Sequence, residues 1–354
     1  MPNLGAQDSA AVSEPSSASK PKVLIAGPPR VREIEVYGQD KLSAAEITRQ
    51  IGIRVGEALS DSRREIEERL ERVPGVTQAH VEGYCCLDND VVLYVGVVES
   101  GAKPFSLHSP PTEDLALPTK LDLVYQRLLR AVESAHERGL TGESYDRGYP
   151  ISEDDDARRA QETLALVVDP YVDDLGEILR RAADEQVRAA AAYILAYTKD
   201  KAIAETHLQY ALRDFDPGVR ANALRSLDFV RRALAAMPPG DEGLRKTVSP
   251  TWLIEMLNSV EFQDRLEASR MLVRILGPEN SSAYAQLEER ALPALVQMAQ
   301  WKVVEHAMAP YTLLGRMAGI PDGEIQRSLR ENQRDTVLGP TRERAKEKKR
   351  FLLF

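Results

Sequence analysis

Few residues in this chain are placed to make or break bonds. Cys85 and Cys86 are its only cysteines, and they are adjacent. Neighbouring cysteines can close only a strained ring, so they make a poor structural staple. They read either as a reactive or metal-binding pair, or as one small buried hydrophobe beside an outward-facing neighbour in a strand. His136-Glu137 is a single His-Glu pair near a helix end, short of the repeated pairs a metal centre would need. His306 has no second His or Cys at ligand spacing and reads as structural. The acidic run Ser152-Glu153-Asp154-Asp155-Asp156 lacks the ligand spacing and glycine of a calcium loop. It suits the first turn of a helix, where the dipole favours each acid by about 0.3–1 kcal/mol. The chain has no Gly-x-Ser-x-Gly elbow, no phosphate loop and no His-Glu-x-x-His. No catalytic, cofactor-binding or metal-binding residue is assigned. The chemistry left is recognition. Tyr193, Arg225, Arg270 and Tyr311 occupy matching places along four helices, and Tyr and Arg dominate binding hot spots. These four are expected to line a peptide-binding groove.

The elements that must position them follow from a repeated pattern. Arg-x-x-Ala-x-x-x-Leu occurs as Arg188-Ala191-Leu195, Arg220-Ala223-Leu227 and Arg265-Ala268-Leu272, with a looser copy at His306-Ala309-Leu313. A shorter apolar pattern precedes each copy: Leu175-Ile178-Leu179, Leu208-Ala211-Leu212, Leu253-Met256-Leu257 and Leu292-Leu295-Val296. Both are i, i+3/i+4 helix faces. Helix pairs recurring every ~30–45 residues predict a solenoid, since one pair cannot bury its apolar face alone.

The front of the chain follows a different pattern. Arg32–Tyr37 alternates polar and apolar residues, as a half-buried strand does. Gly38 ends it, and Ser43 with Glu46 opens a helix through a capping box. A second helix starts near Ser62 with Ile66, Leu70 and Val73 as its stripe, and Pro74-Gly75 stops it. Val76–Tyr84 and Val91–Val98 read as strands joined by a hairpin turn at Leu87–Asp90. The order is β-α-α-β-β. Gly38, Gly56, the Leu70…Pro74-Gly75-Val76 junction and the strand ending in Glu99 make residues 31–100 resemble a POTRA domain. That resemblance implies capture of polypeptides by strand addition to a sheet edge, in a bacterial envelope protein. The edge it implies is Val76–Tyr84, with the N–H of Gln78 or His80 pointing outward. The alternative is a small α+β domain that only packs against the helices.

Pro104, Pro110, Pro111 and Pro118 make residues 101–118 a linker, unable to hold a long helix or a central strand. A helical domain is expected over 119–335. Its repeats resemble HEAT repeats, most closely at Asp214-Phe215-Asp216-Pro217-Gly218-Val219-Arg220, where proline enters the first helical turn. The resemblance implies a ladder of acid–arginine pairs. Asp216 and Arg220 match it, Asp184 and Arg188 match more loosely, Arg265 continues it, and His306 breaks it. A POTRA-like domain followed by HEAT repeats, with "LYVGVVE" and "SPTWLIEMLNS", resembles a set of bacterial proteins of unassigned activity.

The fold class expected is therefore multidomain: a small α+β domain, then an all-α HEAT-type solenoid. The net charge of −9 argues against nucleic acid, whose phosphates demand a basic field. No apolar run approaches a transmembrane length. Residues 1–30 read as a disordered leader, rich in Ser, Ala and Pro. Residues 336–354 form a tail in which six basic residues from Arg342 to Arg350 precede Phe351-Leu352-Leu353-Phe354. It reads as a solvated tail or as a weak contact for an anionic membrane surface. The expected function is a non-enzymatic scaffold or adaptor for protein or peptide partners, with no cofactor, in the periplasm or secreted. The alternatives are a HEAT-like lyase or metal-dependent hydroxylase, and a cytoplasmic location.

Overall fold

The computed structural model describes residues 27–85, 89–103, 105–235, 248–277 and 279–341. Most of the leader, Cys86 with Leu87 and Asp88 of the hairpin turn, and residues 342–354 of the expected tail lie outside the described residues, whereas Val337, Leu338 and Thr341, expected in the tail, are buried and belong to the helical region. Nothing of the Cys85 side chain is described either.

The front of the chain forms β1 (Arg30–Tyr37), α1 (Ala44–Ile51), α2 (Arg63–Glu71), β2 (Val76–Cys85) and β3 (Asp90–Glu99). This is the β-α-α-β-β order expected. Both helices open with capping boxes, Ser43 with Glu46 and Ser62 with Glu65, each satisfying two otherwise orphaned N–H groups. The sheet order is β1-β3-β2, with β1 parallel and β2 antiparallel to the central β3. Side chains alternate across a strand, so each face of β3 has its own partner. Val91, Leu93, Val95 and Val97 pack with Ile47, Ile51, Ile66 and Leu70 of the two helices. Val92 and Tyr94, with Tyr37 of β1, belong to the core of the helical region instead. Glu99 at the end of β3 accepts N–H bonds from Asp40, Lys41 and Leu42. Burial pushes its carboxyl up, but those three bonds outweigh that and hold it below its usual range.

The helical region contains α3 (Thr119–Glu137), α4 (Asp155–Val167), α5 (Val172–Arg181), α6 (Glu185–Ile194), α7 (Lys201–Ala211), α8 (Pro217–Ala235), α9 (Pro250–Met256), α10 (Phe262–Ile275), α11 (Ser281–Arg290), α12 (Leu292–Ala299), α13 (Val304–Met317) and α14 (Asp322–Arg330). Between α3 and α4 lies a short hairpin, β4 (Glu143–Ser144) and β5 (Ile151–Ser152). The second helices of the pairs form one layer: α6 packs on α8, α8 on α10 and α10 on α13. Leu195, Leu227, Leu272 and Leu313 are all fully buried, as are Ala191, Ala223 and Ala268, so the repeat register holds in all four pairs.

Two edges of this array differ in what covers them. The turns within pairs (α5–α6, α7–α8, α9–α10, α12–α13) lie on one edge, and the turns between pairs lie on the other. The within-pair edge is covered by the chain's own front. The linker is not a free tether there. Ala183 N–H donates to Glu113 O and Glu113 N–H to Arg181 O at the first turn, and His108 N–H donates to Arg213 O at the second. His108 also stacks on Tyr210 at 4.1 Å. The sheet covers the third and fourth turns. Tyr37 donates its hydroxyl to Val260 O, Tyr94 stacks on Phe262 at 3.8 Å, and the Tyr94 hydroxyl meets His306 Nδ1 at 2.6 Å. A Cβ on Gly96 would stand 2.3 Å from Val260 O, so only glycine permits this approach.

Candidate functional site

Among the described residues the front of the chain does not cover the between-pair edge, which holds a cavity of about 860 Å³. Three segments build it. The loop after β4 contributes Tyr145, Arg147 and Tyr149; the end of α4 contributes Leu166; and the α6–α7 turn contributes Tyr197, Lys199 and Lys201. Phe229 and Arg232, near the end of α8, close the fourth side. The aromatic rings contact one another: Tyr145 lies 5.1 Å from Phe229, and Tyr149 lies 5.8 Å from Tyr197. The Arg232 guanidinium stands 4.4 Å over the Tyr145 ring, a cation–π contact. Leu166 is 79% exposed at the rim.

Four cations, Arg147, Lys199, Lys201 and Arg232, and one acid, Asp146, stand in a largely apolar lining. Arg147 pairs with Glu162 at 2.5 Å and Lys199 with Asp169 at 3.1 Å. Arg232 and Arg231 share Asp228. Lys201 is buried, with Nζ donating to Ala196 O at 2.8 Å. Burial pulls its pKa down to about 8, against the attraction of Asp169. A buried ammonium beside aromatic faces suits a carboxylate flanked by apolar groups.

The four groove residues expected from the repeats do not share one surface. Tyr193 and Arg225 do meet, with the guanidinium 4.8 Å over the ring. Their outer side is already taken: Tyr125 of α3 packs on Tyr193 at 5.6 Å, and Glu143 of β4 bonds Arg225 at 2.7 Å. Arg270 pairs with Glu267 on its own helix. Tyr311 is fully buried, its hydroxyl against Ser328 of α14 at 2.8 Å. The expectation of a shared groove fails because non-local elements, α3, β4 and α14, cover Tyr193, Arg225 and Tyr311, and Arg270 is left by itself.

The open strand edge is corrected too. Two of the outward N–H groups of β2, those of Ala79 and Val81 in the middle of the strand, are taken: Glu71 accepts from Ala79 at 3.2 Å, and Glu67 from Val81 at 2.8 Å. Gln78 and His80 direct their N–H groups toward β3 by the strand's alternation. Carboxylates projecting from α2 thus occupy two central donors that an incoming strand would need. His80 faces the helical array, between Glu67 and Glu261.

The ladder exists with different acids. Arg188 pairs with Asp214 at 2.8 Å, and Arg220 with Asp264 at 2.8 Å. Asp184 and Asp216, the expected partners, instead accept backbone N–H groups at the starts of α6 and α8. Arg265 donates to Ser259 O and lies 4.6 Å from the Tyr37 ring, so the sheet stands where a further acid would be. His306 is buried and neutral: desolvation first, then Arg270, brings its pKa down to about 4. His136 and Glu137 are exposed at the end of α3.

The cavity itself escaped the repeat pattern because one wall, Tyr145 to Tyr149, comes from the α3–α4 connection. Its one sequence signal is two tyrosines and an arginine within a short glycine-bearing loop, Tyr145 to Tyr149. Among the described residues no helix is long and apolar enough to cross a membrane. Comparison with curated proteins finds no match. Residues 172–239, which span α5 to α8 and three of the cavity's cations, match the family model of HEAT repeats.

Proposed function

We propose that this protein is a non-enzymatic binding module whose helical array takes a polypeptide segment at the open edge. HEAT repeats are typically protein-interaction scaffolds, and the repeat match includes the α6–α7 turn and α8 that line the cavity. One observation carries the reading: in a chain of net charge −9, Arg147, Lys199, Lys201 and Arg232 converge on a cavity walled by Tyr145, Tyr149, Tyr197 and Phe229. The partner chemistry that fits is a segment with an acidic side chain beside an aromatic or aliphatic one. Within this reading the front domain is a POTRA-like fold used to shield the opposite edge, and strand addition at β2 is set aside. An envelope location, taken from the POTRA resemblance, belongs to the same proposal and is checked by cell fractionation.

The test is selection from a displayed random peptide library. Wild-type protein should enrich peptides pairing Asp or Glu with Phe, Tyr, Leu or Ile. Arg232→Glu should abolish the acidic preference, and Tyr145→Ala should weaken binding at least tenfold. Recovery of the same peptides by both variants and the wild type would remove the cavity from the argument.

A further inference from the structure

We infer that His80, Glu82 and Glu261 form a binding site for one divalent first-row transition ion, with Zn²⁺ the best fit, at the junction of the sheet and the helical array. His80 and Glu82 stand two apart on β2, so both side chains leave the same face of the strand. Glu261 comes from the start of α10, across the domain boundary. One ligand atom from each residue lies within 4.8 Å of the other two.

The surroundings resemble those of a metal ligand set. His80 has a carboxylate at each ring nitrogen: Glu67 Oε1 is 3.2 Å from Nδ1, and Glu261 Oε2 is 2.8 Å from Nε2. Glu67 is itself held by the Val81 N–H. A histidine that donates Nδ1–H to a fixed carboxylate has its ring orientation set, and its Nε2 becomes a metal ligand once the proton shared with Glu261 has left. Glu82 is hydrogen-bonded to Gln263 of α10, so it too is tied across the domain boundary. Three carboxylates converge on one imidazole here, so a cation adds charge balance that a single protonated histidine does not. The donor set of one imidazole nitrogen and two carboxylate oxygens favours zinc and its neighbours over Mg²⁺ or Ca²⁺, which prefer oxygen alone. A tetrahedral ion with bonds of about 2.0–2.2 Å spaces its ligands about 3.4 Å apart, so gaps of up to 4.8 Å must close by at most about 1.4 Å. All three side chains are only half-buried, and small rotations achieve this. On binding, His80 releases its Nε2 proton to solvent and the ion replaces it between His80 and Glu261. A fourth position is left for water. The ion would pin the front domain to the array.

The probe is Zn²⁺ alone, titrated by calorimetry into untagged full-length protein. The Cys85→Ser/Cys86→Ser background is used because adjacent thiols bind zinc themselves. The expected result is one ion per chain, proton release near neutral pH, a higher melting temperature with zinc, and no response to Mg²⁺. Glu82→Gln and Glu261→Gln should each weaken binding tenfold or more, and Glu67→Gln by about 10–100-fold through the loss of ring orientation. Glu261→Gln also removes an ion pair between domains. Glu82→Gln leaves that pair in place and decides the matter if Glu261→Gln folds poorly. No zinc uptake by the cysteine-free protein, or uptake undiminished in Glu82→Gln, overturns the proposal.

Discussion

The two edges of the helical array are built from the same helices and have opposite fates. At the within-pair edge, buried arginines meet acids of the next pair, and the chain's own front lies over the turns. At the between-pair edge, aromatic and basic side chains surround a cavity. The difference lies in how the polar groups are satisfied. Arg188 and Arg220 are closed off, each bonding a carboxylate and two backbone carbonyls. Lys201 is held by one carbonyl, Ala196 O, in a wall that opens to solvent. A buried charge with a full set of partners specifies structure, whereas one with a single carbonyl bond, in an open wall, is free to recognise a ligand.

The largest effect should come from the closed edge. Arg220→Ala leaves Asp264 buried without its guanidinium and also frees the carbonyls of Asp214 and Phe215. Removing one partner of a buried pair costs about 3–5 kcal/mol. Arg231→Ala, which breaks a half-exposed pair with Asp228, should cost no more than about 1 kcal/mol. Urea denaturation of both variants checks this, and equal midpoints would mean that the ladder does not hold the array together.

The next effect tests whether the front domain shields that edge as a unit. Gly96→Val drives a side chain into Val260 O and the Tyr37 ring. Overpacking of this kind costs about 1–3 kcal/mol, and here it falls on the contact between two domains. Calorimetry should show one transition for the wild type and two for the variant, with the front domain melting first. An unchanged single transition would show that the sheet is not seated on Val260.

Much of the closed edge was legible in the sequence, and little of the open one. The repeat pattern fixes which leucines and alanines are buried because a helix face depends only on local spacing. The β-α-α-β-β order of elements along the chain was readable for the same reason. The run Val91-Val92-Leu93-Tyr94-Val95 has no polar alternation, and such runs mark strands covered on both faces. That was the available sign that the sheet packs on the array. The acid partners in the ladder were misplaced because a turn decides whether Asp214 or Asp216 faces the arginine, and turn geometry is not periodic. The capping of β2 by Glu67 and Glu71 depends on where α2 lies beside the sheet, which no local pattern states.

Lys201 allows the open edge to be probed by pH. Its folded pKa, about 8, lies below its usual value of 10.5. The folded protein therefore binds the proton less tightly than the unfolded chain does. Below pH 8 the charged amine opposes folding in full, and that penalty fades as pH rises from about 8 to 10.5. Lys201→Met should accordingly stabilise the protein at pH 7 by roughly 1–3 kcal/mol, after allowing for the lost bond to Ala196 O. The gain should shrink toward zero by pH 10.5. Thermal melts of both proteins across this range measure it, and a pH-independent difference would mean that the amine is not held charged in a desolvated wall.

The smallest expected effect on stability separates folding from recognition most cleanly. Leu166 is 79% exposed, on the rim of the cavity. Burial by the fold stabilises it little, so Leu166→Gln should shift the denaturation midpoint by under about 0.5 kcal/mol. The same change removes an apolar contact from the mouth through which a ligand's aromatic or aliphatic group would enter. Affinity for peptides selected on the wild type should fall several-fold while the melting curve stays put. A residue on the closed edge cannot give this pair of results, because there packing and bonding partners are the same groups. If Leu166→Gln destabilised the fold and left peptide affinity intact, the two edges would not differ in the way argued here. The exposed leucine would then have to be explained by packing within the chain.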